Sequence, residues 1–566
     1  MKKILLFACI PVLLGSCSIF GIHYKVHNPK RAGKYPEKTE QLRLLGGHSK
    51  YRDGFDVKQY ALDIRIDPAK QYVGGLVRMD AVALRDLDTI QIDLYPEMKM
   101  LLVQNGKTSC PFFRGEGAVF IVPGPVKKGE RFSLLFVYEG NPMIAKRPPW
   151  VGGAVWKYDY NGNPWCGIAC ESEGASLWWP CKDMMDDEPD TVQVNLTVPA
   201  GLVAVSNGRL QGSEEKGELT TWKWLVSYPI NVYNVTYYVG KFKRVHDSYE
   251  SEVTGQTLDL DHYVLDYNYE RALKHFRQVK DHIALYEKRF GPYPWYRDGF
   301  KLVESPFAGM EHQTGIAYGN GYTNDYEGFD YIILHETAHE WWGNSVTAAD
   351  LGDGWIHEGF ATYAEALFVE ETQGRDAYRR YLLDQRLTII NRRPVSRPFN
   401  MRYFNYRDGD IYHKGSWILH SLRYALENDS LFFDILETFA TENAPKTVTS
   451  KDFIALVNRK TGKDYQWFFD QYLYNRLAPE IEYSIEKGKM YYRWTSRTMP
   501  GFKMKQRVSG TAGASLIEPA HKTIRELDIP ASSLPYVSLN GNDYLVRIVR
   551  VKHLRREFMK QKAKGG

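Results

Sequence analysis

Charge of one sign is scarce: 73 Lys and Arg stand against 68 Asp and Glu in 566 residues, a net charge of +5 with no concentrated basic stripe. A nucleic acid finds no electrostatic footprint on such a chain, which argues against a polynucleotide partner. Long apolar runs are equally scarce. Mean hydropathy is −0.44, and only the N-terminus carries an apolar stretch of any length, which argues against multiple membrane-spanning helices. Cysteine is rare at six residues, and no repeat of solenoid period is present. Cys166, Cys170 and Cys181 cluster, but no fourth ligand lies close by, which argues against a structural zinc site. In an oxidising compartment the cluster permits a disulfide, with buried free thiols as the alternative. What is present suffices for a large core: 43% of residues are hydrophobic and 25% charged, so the chain is neither disordered nor fibrous.

Residues 1–17 read as a secretory signal. Lys2-Lys3 precede an apolar stretch broken only by Pro11, and Gly15-Ser16 stand before Cys17. This resembles a bacterial lipobox, where cleavage leaves Cys17 as a lipidated N-terminus. Ser18 follows with no aspartate beside it, which by the same resemblance implies retention at the outer membrane, facing the periplasm. Residues 18–50 are polar and read as a tether.

Beyond the tether the organisation is α+β and multidomain. Over 51–245 the pattern has period two, with Leu62, Ile64 and Ile66 alternating with Asp63 and Arg65, and Ile90, Ile92 and Leu94 alternating with Gln91 and Asp93. This predicts an N-terminal β-sheet domain. Near Tyr269 the spacing of apolar residues becomes helical, and a mostly helical domain is expected over 246–478. From 479 to 566 strand signals return, giving a small C-terminal β domain that ends in a solvated basic tail over 552–564; a weak contact with anionic lipid is the alternative for that tail.

The chemistry concentrates in the helical region. His335-Glu336-Thr337-Ala338-His339 places two histidines at i and i+4 on one helical face, so both imidazoles can reach one zinc ion, and Glu336 can address the water on that metal. The downstream glycine and histidine of a metzincin are absent, because Trp342 and Ser345 stand there. Instead Glu358, in Trp355-Ile356-His357-Glu358-Gly359, lies 19 positions after His339 and can complete a His/His/Glu site with one position open. His357 as a ligand is disfavoured, since in a helix it points about 100° away from Glu358.

These motifs, with Ala308-Gly309-Met310-Glu311-His312 before them, resemble the aminopeptidase N family of gluzincin metallopeptidases. The resemblance implies a thermolysin-like catalytic domain, one zinc ion held by His335, His339 and Glu358, and peptide substrates with a free N-terminus. It also implies roles for further residues. Glu311 falls on the glutamate that holds the substrate's α-amino group, and Gly309 belongs to the peptide-binding edge of that segment. Cys170-Glu171-Ser172-Glu173-Gly174 resembles the segment giving a second amino-group contact, which falls on Glu171. Tyr412-His413-Lys414-Gly415 resembles the segment whose tyrosine stabilises the oxyanion. Three departures stand out: Ala308 for the usual Gly, and His312 and His357 for the usual Asn. Two rival functions share much of this pattern: an endopeptidase of thermolysin type, and a lipid-anchored peptide-binding protein without activity. The first would cleave an N-blocked peptide; the second would cleave nothing.

Overall fold

The structure, a computed structural model, describes residues 26–35, 44–400, 409–510, 515–534 and 536–565. Cys17 and the signal lie outside the described residues. Strand-forming alternation in the first domain yields an eight-stranded sheet whose central strand, Phe55–Asp67, pairs antiparallel with Tyr72–Ala83 and parallel with Thr191–Pro199. Leu62, Ile64 and Ile66 are buried while Asp63 and Arg65 face solvent, as the period requires. A four-stranded sheet ordered Val203–Val205, Tyr238–Gly240, Pro164–Ala169, Gly153–Tyr158 packs in the same core and delivers the chain to Glu171. Cys110 and Cys166 are free and buried, and the Cys170 thiol donates to the Tyr233 carbonyl at 3.1 Å.

Four sequence expectations need correction. The alternation at Ile90–Asp93 does not give a solvated face, because Gln91 and Asp93 are buried. Gln91 donates to the Leu44 carbonyl and Asp93 pairs with Arg52, whose guanidinium also donates to the Leu45 carbonyl. The described parts of the expected tether are therefore docked. Residues 44–50 cover this sheet, while Asn28 exchanges hydrogen bonds with Ala478 and the Pro29 carbonyl accepts from Arg476. The division at 245 also moves: Phe242–Glu250 is one strand, paired along its whole length with Thr257–Leu265 in the catalytic sheet. Finally, the basic C-terminus is a helix, Leu554–Gly565, with Leu554 and Phe558 packed on Tyr491 and Ile524. Apolar residues at i and i+4 gave it a buried face that composition alone hid.

The catalytic region joins a five-stranded sheet, ordered Phe242–Glu250, Thr257–Leu265, Leu302–Glu304, Ile316–Tyr318, Gly309–Met310, to a set of helices. Its central helix, Trp355–Gln373, is buried on every side from Trp355 to Val369, so that its polar residues His357, Glu358 and Glu365 are enclosed with it. The C-terminal region shares this core through Ile481 and Trp494 on its strands and Tyr544 in a turn. Ser421 Oγ accepts from the Leu545 N–H at 3.1 Å, and Arg386 donates to the Val546 carbonyl at 3.0 Å. Among the described residues no helix is long and apolar enough to cross a membrane.

Candidate active site

The helix Tyr331–Ala338 starts at Asp330, whose carboxylate accepts the Ile332 N–H and so caps a terminus with unpaired donors. Its other oxygen accepts from Tyr318 at 2.7 Å and meets His275 at 2.8 Å, which ties the helix start to the sheet. One turn of helix later His335 and His339 face the same way, with their Nε2 atoms 3.1 Å apart. Glu358, on the central helix, brings its Oε2 to 3.3 Å from His335 Nε2 and 3.5 Å from His339 Nε2.

This donor set fits a zinc ion. Glu358 Oε2 is buried without a hydrogen-bond partner, and the three separations match the edge of a tetrahedron with bonds near 2.0–2.1 Å, roughly 3.3–3.4 Å. The far ring nitrogens set the tautomers. His339 Nδ1 faces the Trp342 carbonyl at 2.8 Å, and a carbonyl can only accept, so the proton sits on Nδ1 and the Nε2 lone pair is free for metal. His335 Nδ1 lies 2.6 Å from Glu365, which also accepts from Tyr381 at 2.5 Å. Glu365 is seven residues beyond Glu358 on the same helical face, so a single helix supplies both a ligand and the support of another.

Glu336 lies beside this centre, buried, and burial pushes its carboxyl up. The edge strand Gly309–Met310 crosses directly in front of it. A Cβ on Gly309 would stand 2.4 Å from Glu336 Oε1 and 2.9 Å from Ile332 Cγ2, so only glycine lets the strand approach so closely. Gly309→Ala is accordingly expected to displace Glu336 and lower kcat by about tenfold or more with zinc content unchanged, read by steady-state kinetics and metal analysis.

The same segment turns Glu311 inward. It is buried, accepts from Tyr233 at 3.1 Å, and burial with the nearby Glu171 raises its carboxyl to about 7. Glu171 arrives from the N-terminal domain, and burial and the Glu358 charge raise it as well. His357 backs Glu171. The Ala348 N–H donates to His357 Nε2 at 2.8 Å, and burial lowers the ring's pKa to about 4, so the neutral ring carries its proton on Nδ1, 3.7 Å from Glu171 Oε1. His357 thus belongs with the Glu171 and Glu311 carboxylates and not with the zinc donors. His312 is turned into the core, where it meets the Tyr238 hydroxyl at 2.6 Å, so its substitution for Asn leaves the cleft wall to Ala308 and Gly309.

Tyr412 sits in a single π-helical turn, Asp410–Lys414, and stacks on His335 with ring centroids 6.2 Å apart. Burial and the Glu358 charge hold its phenol protonated. A glycine contact brings this turn so close: a Cβ on Gly415 would lie 2.7 Å from the Cα of Gly359, the residue after the ligand Glu358. All eight residues singled out from the sequence, Glu171, Gly309, Glu311, His335, Glu336, His339, Glu358 and Tyr412, line one cavity of about 540 Å³. Sequence reasoning missed Glu365, Tyr381, Tyr233 and the Gly359–Gly415 contact. Only Glu365 left a trace, its i+7 spacing from Glu358.

Residues 276–472 match the Peptidase family M1 domain. The chain is 23% identical to aminopeptidase B of Rattus norvegicus over 357 residues, covering 60% of this chain and 52% of that protein. It is 25% identical to aminopeptidase N of Streptomyces lividans over 325 residues, covering 52% and 37%. It thus spans about half the length, or less, of the curated relatives it matches. An M1 zinc metallopeptidase from Deinococcus radiodurans superposes with a TM-score of 0.65 at 24% identity, over 75% of this chain and 95% of that one. Residues 276–472 thus match a peptidase family M1 domain, and over 77% of the chain the fold is similar to that of a two-domain M1 zinc metallopeptidase.

Proposed function

We propose that the protein is a zinc-dependent aminopeptidase that removes N-terminal residues from peptides. The observation that carries this reading is the pair of carboxylates, buried Glu311 and part-buried Glu171 with its Oε1 enclosed, in the cavity that holds the zinc donors. Carboxylates buried together are costly unless a cation joins them, and the α-ammonium of a peptide is a cation of the right size. Held there, the ammonium leaves the bond after the first residue, and no other, at the metal centre.

His335, His339 and Glu358 would hold the zinc, which when bound supplies Lewis acidity to the scissile carbonyl and acidifies a water. Glu336 takes the proton of the attacking water and returns it to the leaving amine. The Tyr412 hydroxyl donates a hydrogen bond to the oxyanion. Gly309–Met310 is a sheet edge, so its outer side can pair with an extended peptide. Glu311→Gln tests the amine clamp: KM for a short free peptide is expected to rise and kcat/KM to fall by about two orders of magnitude. An unchanged kcat/KM would remove the clamp and return the endopeptidase reading.

We further propose that Cys17 is lipidated and holds the enzyme at the outer membrane, facing the periplasm. Support comes from the leader's charge, its apolar core and the small residues before Cys17.

A further inference from the structure

The C-terminal helix Leu554–Gly565 has a second face that the fold does not use. Its inner side is accounted for. Leu554 and Phe558 are buried, Gln561 exchanges hydrogen bonds with the Ile524 backbone, and Glu557 pairs with Arg493 at 2.9 Å. Those four residues follow i, i+3, i+4, i+7 spacing and mark one stripe. On the opposite stripe Arg556, Met559, Lys560 and Ala563 are all exposed, with Met559 at 54%. No carboxylate stands on that stripe: Glu557, already paired, is the helix's one acidic residue. The exposed Lys552 precedes the helix, and Lys562 flanks it with its ammonium over the Phe558 ring.

Where the N-terminal segment begins gives this face a direction. Val26 is buried and its carbonyl accepts from Arg547 at 2.9 Å, while Arg497 donates to the Asn28 carbonyl at 3.3 Å. Arg547 opens the strand Arg547–Arg550, and only residues 551–553 separate that strand from the helix. Nine peptide links join Cys17 to Val26, a reach of about 30 Å at full extension. A lipid on Cys17 would therefore keep Val26, and with it the strand Arg547–Arg550 that leads into the helix, within about 30 Å of the membrane.

We propose that the outward face of the C-terminal helix docks on an anionic phospholipid surface, with Arg556, Lys560 and Lys552 meeting headgroup phosphates and Met559 entering the interface between them. The orientation rests on the lipid reading of Cys17. The surface chemistry does not, since cations flanking an exposed apolar side chain suit an anionic bilayer whether or not the chain is anchored. Docked so, the enzyme is fixed at two points, by its lipid and by this helix.

The test uses the full mature chain from Ser18, made without a leader so that it carries no lipid, in co-sedimentation with phosphatidylcholine vesicles containing or lacking phosphatidylglycerol. Binding is expected only with phosphatidylglycerol and is expected to weaken as salt rises. The double variant Arg556→Glu/Lys560→Glu should lose at least about tenfold in partitioning, since each cation near such a surface contributes about fivefold. Its rate of peptide cleavage should be unchanged, which checks that the surface variant is folded. Equal binding to both vesicle types, no binding of the parent chain at low salt, or full binding by the double variant would each overturn the proposal. Failure of the lipid reading shows separately, as an unmodified Cys17 in the membrane-purified protein by mass spectrometry.

Discussion

Glu336→Gln is expected to lower kcat for peptide hydrolysis by about two to four orders of magnitude while one zinc ion per chain is retained. The substitution keeps size and shape, which matters because the Gly309 backbone lies close against the Glu336 carboxylate. It removes only the capacity to take a proton from water and return it to the departing amine. Glu336 is not among the donors His335, His339 and Glu358 that close on one point, so metal content should hold. Paired metal analysis and single-turnover kinetics separate the two effects. A variant with near-wild-type turnover would move the base to another residue.

Tyr412→Phe is expected to lower kcat by about 10²–10³-fold with KM little changed, the signature of an interaction made only in the transition state. The ring that stacks on His335 is kept, and so is the π-turn, because Asp410 holds it through the Ile390 and Asn391 N–H groups at 2.9 and 2.8 Å. What is lost is one hydroxyl. A variant whose kcat matches the parent would make Tyr412 a packing residue, and a fall in thermal stability of the same size as a core truncation would point the same way.

Two zinc donors are legible in the sequence because they share a helical face; the third, Glu358, opens the next long helix and is placed by its motif and by resemblance, not by periodicity. The amine clamp was not legible in that way. Glu171 lies 140 positions before Glu311, each just past a strand of a different sheet, and only resemblance joined the two before the structure did. Supports that depend on tertiary approach, such as Tyr381 on Glu365 or Gly415 against Gly359, have no local pattern to betray them. The larger errors came from reading polarity as exposure. Residues 26–35 and 44–50 look like a solvated tether, yet their backbone groups serve buried and semi-buried partners such as Arg476, Arg52 and Gln91. A run of cations at the C-terminus hid a helix whose buried apolar face is made by Leu554 and Phe558. In each case a few buried groups decided the outcome against the average composition.

The most direct measurement incubates the purified protein with a short peptide and its N-acetylated twin, with and without a chelator, and follows the products by mass spectrometry. Stepwise loss of residues from the free peptide alone, abolished by the chelator, is the expected result. Internal cleavage of both twins at equal rates, or cleavage that survives metal removal, would contradict a zinc site that reads a free α-amino group.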